Sequence, residues 1–124
     1  MIRKINTENA PAAIGPYSQA VILGNILYTS GQIPVCPVSG QVVGNNVTEQ
    51  ALQVMKNLEA ILKESNTCFE NVIKTTCFIA DMNDFAKFNE VYAEYFTSKP
   101  ARSCVAVKTL PKNVLCEVEV IAVI

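Results

Sequence analysis

The final residues, Cys116–Ile124 (CEVEVIAVI), constrain the fold more than any other segment. Side chains alternate between the two faces of a strand. Val118, Val120 and Ala122 therefore share one face, while Ile121 and Val123 point to the other. Beyond its glutamate end this strand needs apolar cover on both sides. A single layer of helices can cover only one of them.

The remaining segments supply such a layer. Ser18–Leu23 (SQAVIL) and Ile26–Ser30 (ILYTS) flank Gly24-Asn25, the pattern of a β-hairpin. Pro34–Asn46, broken by prolines, glycines and asparagines, reads as loop or irregular edge. From Val47 the period changes. Ala51, Val54, Met55, Leu58, Ile61 and Leu62 fall at helical spacing, with Thr48 as the expected N-cap. Asn71–Ala80 (NVIKTTCFIA) is a β-branched strand, apolar on both parities towards its end. Asp84 opens a second helix that carries Phe85, Phe88, Tyr92, Tyr95 and Phe96 on one stripe and ends before Pro100. Ser103–Thr109 and Cys116–Ile124 are the last strands, joined around Leu110–Asn113. This order predicts one α+β domain over residues 1–124, a mixed sheet with both helices on one face.

The other face needs a different cover. Only 17% of the 124 residues are charged, against a typical figure of about 25%. A small domain has much surface for its volume, so the missing charge and the doubly apolar last strand both predict a closed homo-oligomer.

Several classes are excluded. The apolar content rules out disorder, and no run of about 18 apolar residues exists to span a membrane. Ten basic and eleven acidic residues, net charge -1, argue against nucleic acid as the partner. Five cysteines, an odd number without a C-x-x-C, read as reduced thiols. The N-terminus lacks a signal peptide's apolar centre, so a cytoplasmic location is expected, with a mitochondrial version left open. There is no histidine. That removes Ser-His and Cys-His nucleophile pairs, His-ligated zinc and a histidine base together.

The remaining chemistry rests on few residues. Arg102 stands at the start of a strand in an otherwise uncharged run (PARSCVAV), sharing a face with Cys104. Its guanidinium suits bidentate binding of a carboxylate or phosphate; the alternative is a structural salt bridge to an internal glutamate. Glu117 and Glu119, at i and i+2, share a face of the last strand. One can be an internal base and the other a solvated edge residue, or both can sit on a solvated strand end. A metal site is disfavoured, with no histidine or aspartate near them in sequence. Cys104 is either a nucleophile, if Arg102 or a helix end lowers its pKa, or a small residue packed beside a pocket. Cys36, Cys68, Cys77 and Cys116 read as inert thiols. Tyr17 offers a ring wall and a hydroxyl donor, and Ser30-Gly31 a turn that allows close backbone approach by a ligand. Phe85, Phe88, Tyr92 and Tyr95 read as core rather than as an aromatic cage.

Together these segments resemble the Rid (YjgF) family, and its RidA branch in particular. The matching stretches are NAPAAIGPYSQA (9–20), TSGQIP (29–34), KTTCFIADMNDF (74–85), PARSCV (100–105), LP (110–111) and EVEVIAV (117–123). They span essentially the whole chain in order. The resemblance implies a fold like chorismate mutase of the trimeric type, with sites in the clefts between subunits of a homotrimer. It implies hydrolysis of reactive 2-imino or enamino acids, such as 2-iminobutanoate and 2-iminopropanoate, to 2-oxo acids and ammonia without a cofactor. Carried onto this chain, it makes Arg102 the partner of the substrate carboxylate, Cys104 mainly a backbone contact and Glu117 the group that orients or activates water. Tyr17, Ser30 and Gly31 become lining contributed across the cleft. Asn89 matches a polar position of the second helix, with no role attached. Only Thr97-Ser98-Lys99 separate Phe96 from Pro100, where RidA-like chains often carry a longer loop, so the resemblance fixes neither the pocket rim nor the substrate size preference.

The residue inventory suits that chemistry. A protonated C=N carbon is electrophilic, so a positioned water and a carboxylate base suffice. The main expectation is an imine deaminase that protects pyridoxal-phosphate enzymes from 2-aminoacrylate and related intermediates, a form of metabolite damage control. The alternative is a regulatory protein that binds small carboxylates in the same cleft without turnover. Rid-like proteins have also been linked to RNA cleavage, which the net charge disfavours.

Overall fold

Six strands form one sheet: β1 (Ile2–Ile5), β2 (Ala20–Leu23), β3 (Ile26–Thr29), β4 (Val72–Ile79), β5 (Ala101–Ala106) and β6 (Cys116–Val123). Helices α1 (Val47–Glu64) and α2 (Phe85–Tyr95) complete the fold of this computed structural model, which describes residues 1–124. The spatial order is β1-β2-β3-β6-β4-β5. All pairs are antiparallel except β4 with β5, joined in parallel by α2. The expected α+β architecture is therefore present, a mixed sheet with two helices on one face.

The doubly apolar last strand is central. β6 lies between β3 and β4, and its Cys116, Val118, Val120 and Ala122 are buried towards the helices. There they join Val54, Met55, Leu58 and Ile61 of α1 and Phe88 and Tyr92 of α2 in one core. The opposite parity, Glu117, Glu119, Ile121 and Val123, faces the side without helices and is partly exposed. Tyr28 on β3 and Val105 on β5 extend that face, 43% and 48% exposed. An apolar sheet face thus stands open in the single chain.

Four departures from the sequence reading have a clear physical cause. Asn46, not Thr48, caps α1: its Oδ1 accepts from the Glu49 N–H at 2.9 Å, and Glu49 Oε1 accepts from the Asn45 N–H at 2.8 Å. A short amide at the last non-helical position reaches that N–H, whereas Thr48 already lies in the first turn. β1 was not foreseen, because IRKI is too short to show alternation and is held by its pairing with β2. α2 stops at Tyr95, and Phe96 leaves the helix to bury its ring under it. β5 begins at Ala101 rather than Ser103 and ends at Ala106, an edge strand paired with β4 alone.

Candidate functional site

Arg102 has a prepared bed. It pairs in register with Thr75 of β4, whose side chain is buried beneath α2. Partners in a parallel register share a face, so Arg102 points to the helix side at the open edge of the sheet. Its guanidinium carbon lies 4.6 Å from the Tyr92 ring centroid and 5.4 Å from that of Phe85, within cation–π range. Tyr92 is itself fixed, because its hydroxyl and that of Thr75 are hydrogen-bonded at 2.8 Å. Arg102 Nη1 donates to Asn89 Oδ1 at 2.6 Å. The protein partner of this cation is a neutral carboxamide, so its charge is left for a ligand. Phe85, Asn89 and Tyr92 recur at i, i+4 and i+7 on α2, which places all three on one stripe. A cavity of about 340 Å³ opens beside them, with Phe96, Lys99 and Pro100 in its wall.

Glu117 occupies a different place. It pairs with Phe78 of β4, on the sheet face without helices. Its half-buried carboxyl is raised above its ordinary pKa, first by desolvation and then by the charge of Glu119. It lies against the Cα of Gly31, and a Cβ built there would fall onto the Glu117 carboxylate. Any larger residue at position 31 would therefore displace the Glu117 carboxyl from this place. The segment before β6's N-terminal half is tied down by paired bonds between Gln32 and Val118 at 2.8 and 3.1 Å. Ser30 Oγ donates to the Ser18 carbonyl at 2.6 Å, and the Ser30 N–H donates to the Gln19 carbonyl at 2.9 Å. Those bonds join the Ser30-Gly31 turn to the segment that carries Tyr17. Tyr17 and Gly31 line a second cavity of about 290 Å³, together with Ile14, Ile33, Cys36 and Lys112.

These two groups do not meet within the chain. Arg102 and Glu117 are two strands and three residues apart by register, or roughly 14 Å between Cα atoms at ordinary sheet spacings. Their side chains point to opposite faces. The possibility of an internal Arg102–Glu117 salt bridge is therefore ruled out. Glu119 shares the face of Glu117 one pleat along, opposite Thr76.

The thiols divide by surroundings. Cys104 shares the face of Arg102, and desolvation raises its thiol pKa, which Arg102 opposes less strongly. Such a group stays protonated at neutral pH, against the nucleophile reading. Cys77 and Cys116 are pushed up to about 12 by burial. Cys68, expected to be inert in a loop or strand, is instead exposed. Cys36 is lowered by hydrogen bonds from Ser39 and from the Val38 backbone. No group of three or more carboxylates and thiols is placed to hold a metal ion.

A family model described as Endoribonuclease L-PSP matches residues 7–124. The chain belongs to this family, also known as Rid or YjgF. Among similar Rid proteins, one from Lactococcus lactis bearing the name of a regulator, AldR, is 55% identical, covering 95% of this chain and 94% of its own. Human 2-iminobutanoate/2-iminopropanoate deaminase is 49% identical, covering 98% of this chain and 89% of its own. The crystal structure of E. coli TdcF with bound serine has a TM-score of 0.93 at 47% identity, covering 98% of each chain.

Three features of this Rid chain escaped the sequence reading. The apolar stripe predicts Phe85 and Tyr92 as core, yet both rings also cradle Arg102. Asn89 had no role and proves to be the hydrogen-bond partner of the guanidinium. The i, i+4, i+7 spacing was visible in the sequence. What it faced was not, because the partner lies on a strand after the helix.

Proposed function

We propose that this Rid protein is a cofactor-independent deaminase of 2-imino and enamino acids, with 2-iminobutanoate and 2-iminopropanoate as substrates. The observation that carries the reading is the presence, on two separate faces of one chain, of an uncompensated Arg102 and a desolvated Glu117. A homotrimer completes the site: Arg102 and Cys104 of one subunit face Glu117, Tyr17, Ser30 and Gly31 of the next. The apolar sheet face is the surface that such an assembly would bury. The working compartment is the cytosol.

The chemistry follows from those groups. Arg102 holds the substrate carboxylate by two charge-assisted hydrogen bonds. Glu117, ionised, takes a proton from a water that attacks the carbon of the protonated C=N group, giving a neutral tetrahedral carbinolamine. Glu117 returns that proton to the nitrogen, which leaves as ammonia and takes up the hydroxyl proton, becoming ammonium, as the C–O bond becomes a carbonyl. Water is consumed, one 2-oxo acid and one ammonium are formed, and no oxidant or cofactor enters. A raised carboxyl pKa suits this exchange, since a base closer to neutrality also returns the proton readily. Cys104 contributes backbone and size, and Tyr17 a wall of the cleft.

The alternative, a carboxylate-binding regulator, gains support from the name of the Lactococcus relative and from the serine held by TdcF. Cleavage of RNA, which the family description evokes, fits poorly with a net charge of -1. The deciding experiment couples a threonine or serine dehydratase to this protein and follows 2-oxo acid release. Acceleration over buffer is expected. Release at the buffer rate would leave only the binding reading.

A further inference from the structure

We propose that Asn89 is the positioning residue of the anion site, and that its neutrality reserves the charge of Arg102 for a ligand carboxylate. This rests on the proposed role of Arg102 and assigns the residue that makes that role workable. The guanidinium is held on three sides. Tyr92 lies at 4.6 Å from its central carbon and Phe85 at 5.4 Å, and Asn89 Oδ1 takes a hydrogen from Nη1 at 2.6 Å. Rings fix the plane but allow rotation within it. One in-plane hydrogen bond removes that freedom and leaves the Nε–Nη2 edge for a bidentate ligand.

Aspartate would fit the same space and make a stronger bond. It would also spend the cation on an internal pair and set a carboxylate beside the ligand's own. Asparagine gives the geometry without the charge. Asn89 also lines the 340 Å³ cavity next to Arg102, whose other charged wall residue, Lys99, is exposed and cationic. No carboxylate faces that cavity from α2, β5 or the segment between them.

The test compares Asn89→Asp, Asn89→Ala and Arg102→Ala in the intact protein. Ligand-observed NMR measures binding of 2-oxobutanoate, an anion, and of its neutral methyl ester. Asn89→Asp should weaken 2-oxobutanoate by roughly ten- to a hundredfold, the scale of a lost hydrogen bond to a charged group. It should leave ester binding unchanged and hold or raise Tm, because an ion pair replaces a neutral contact. Asn89→Ala should cost less, about three- to tenfold, and appear in KM rather than kcat. The inference is overturned if the aspartate variant binds the anion as well as the alanine variant, or if ester and anion weaken together. A kcat loss at unchanged KM in Asn89→Ala would overturn it too. Equal 2-oxobutanoate affinity in wild type and Arg102→Ala would instead sink the carboxylate role of Arg102 itself.

Discussion

The edge of the sheet at β5 and its centre at β6 solve opposite problems. At β5 a permanent cation is kept available: aromatic rings and a neutral amide hold Arg102 without neutralising it. At β6 a carboxylate is made less comfortable. Burial and the neighbouring Glu119 raise the pKa of Glu117, whose carboxyl lies against the Cα of Gly31. Under the proposed function the first region serves binding and the second proton transfer. Their placement on opposite faces makes the proposed chemistry depend on assembly.

The largest effect expected from breaking this contrast is on the proton-transfer side. Glu117→Gln should lower kcat by on the order of 10²–10⁴-fold, the usual worth of a general base, with 2-oxo acid binding unchanged or tighter. The same variant should melt higher than wild type at pH 7. A raised folded-state pKa adds stability at low pH that is lost as pH rises through it, so the Tm difference should close towards pH 4. A Glu117→Gln protein that keeps its turnover would remove the base from the mechanism.

On the binding side, Arg102→Ala should weaken turnover and 2-oxo acid affinity together by roughly ten- to a hundredfold. Its Tm should fall little, since no internal charge is stranded. A collapse in stability would make Arg102 structural instead.

Much of this was legible in the sequence, and the reasons are local. Strand parity placed Glu117 with Glu119, and Arg102 with Cys104, on shared faces, because alternation needs no tertiary knowledge. The helices were legible from apolar spacing. Parity cannot say which face of a sheet a strand presents, so the separation of Arg102 from Glu117 required the register of β4 with both neighbours. The roles of Asn89, Phe85 and Tyr92 were hidden for the same reason. The cap of α1 was misplaced by two residues because threonine and asparagine both satisfy the cap preference.

Smaller effects sharpen the contrast. Glu119→Gln removes a like charge that raises the Glu117 pKa. The acid limb of kcat/KM should move to lower pH while the plateau changes less than about threefold; an unmoved limb would separate the two carboxylates. Cys104→Ala should be the mildest change. Its thiol is pushed up by burial, so loss of the side chain should keep most activity, and a fall beyond roughly a hundredfold with assembly intact would mark a nucleophile.

The central claim, that one subunit's cation works with another subunit's carboxylate, has a direct measurement. Arg102→Ala and Glu117→Gln chains, each at about a tenth of wild-type turnover or less, are unfolded, mixed in equal amounts and refolded together. Random assembly gives each cleft an even chance of an intact arginine and an even chance of an intact glutamate. About one quarter of the clefts are then complete, provided the two groups come from different chains. The account predicts recovery to about one quarter of wild-type turnover in the mixture. Activity no higher than the mean of the two parents would contradict it, because every site would then draw both residues from a single chain.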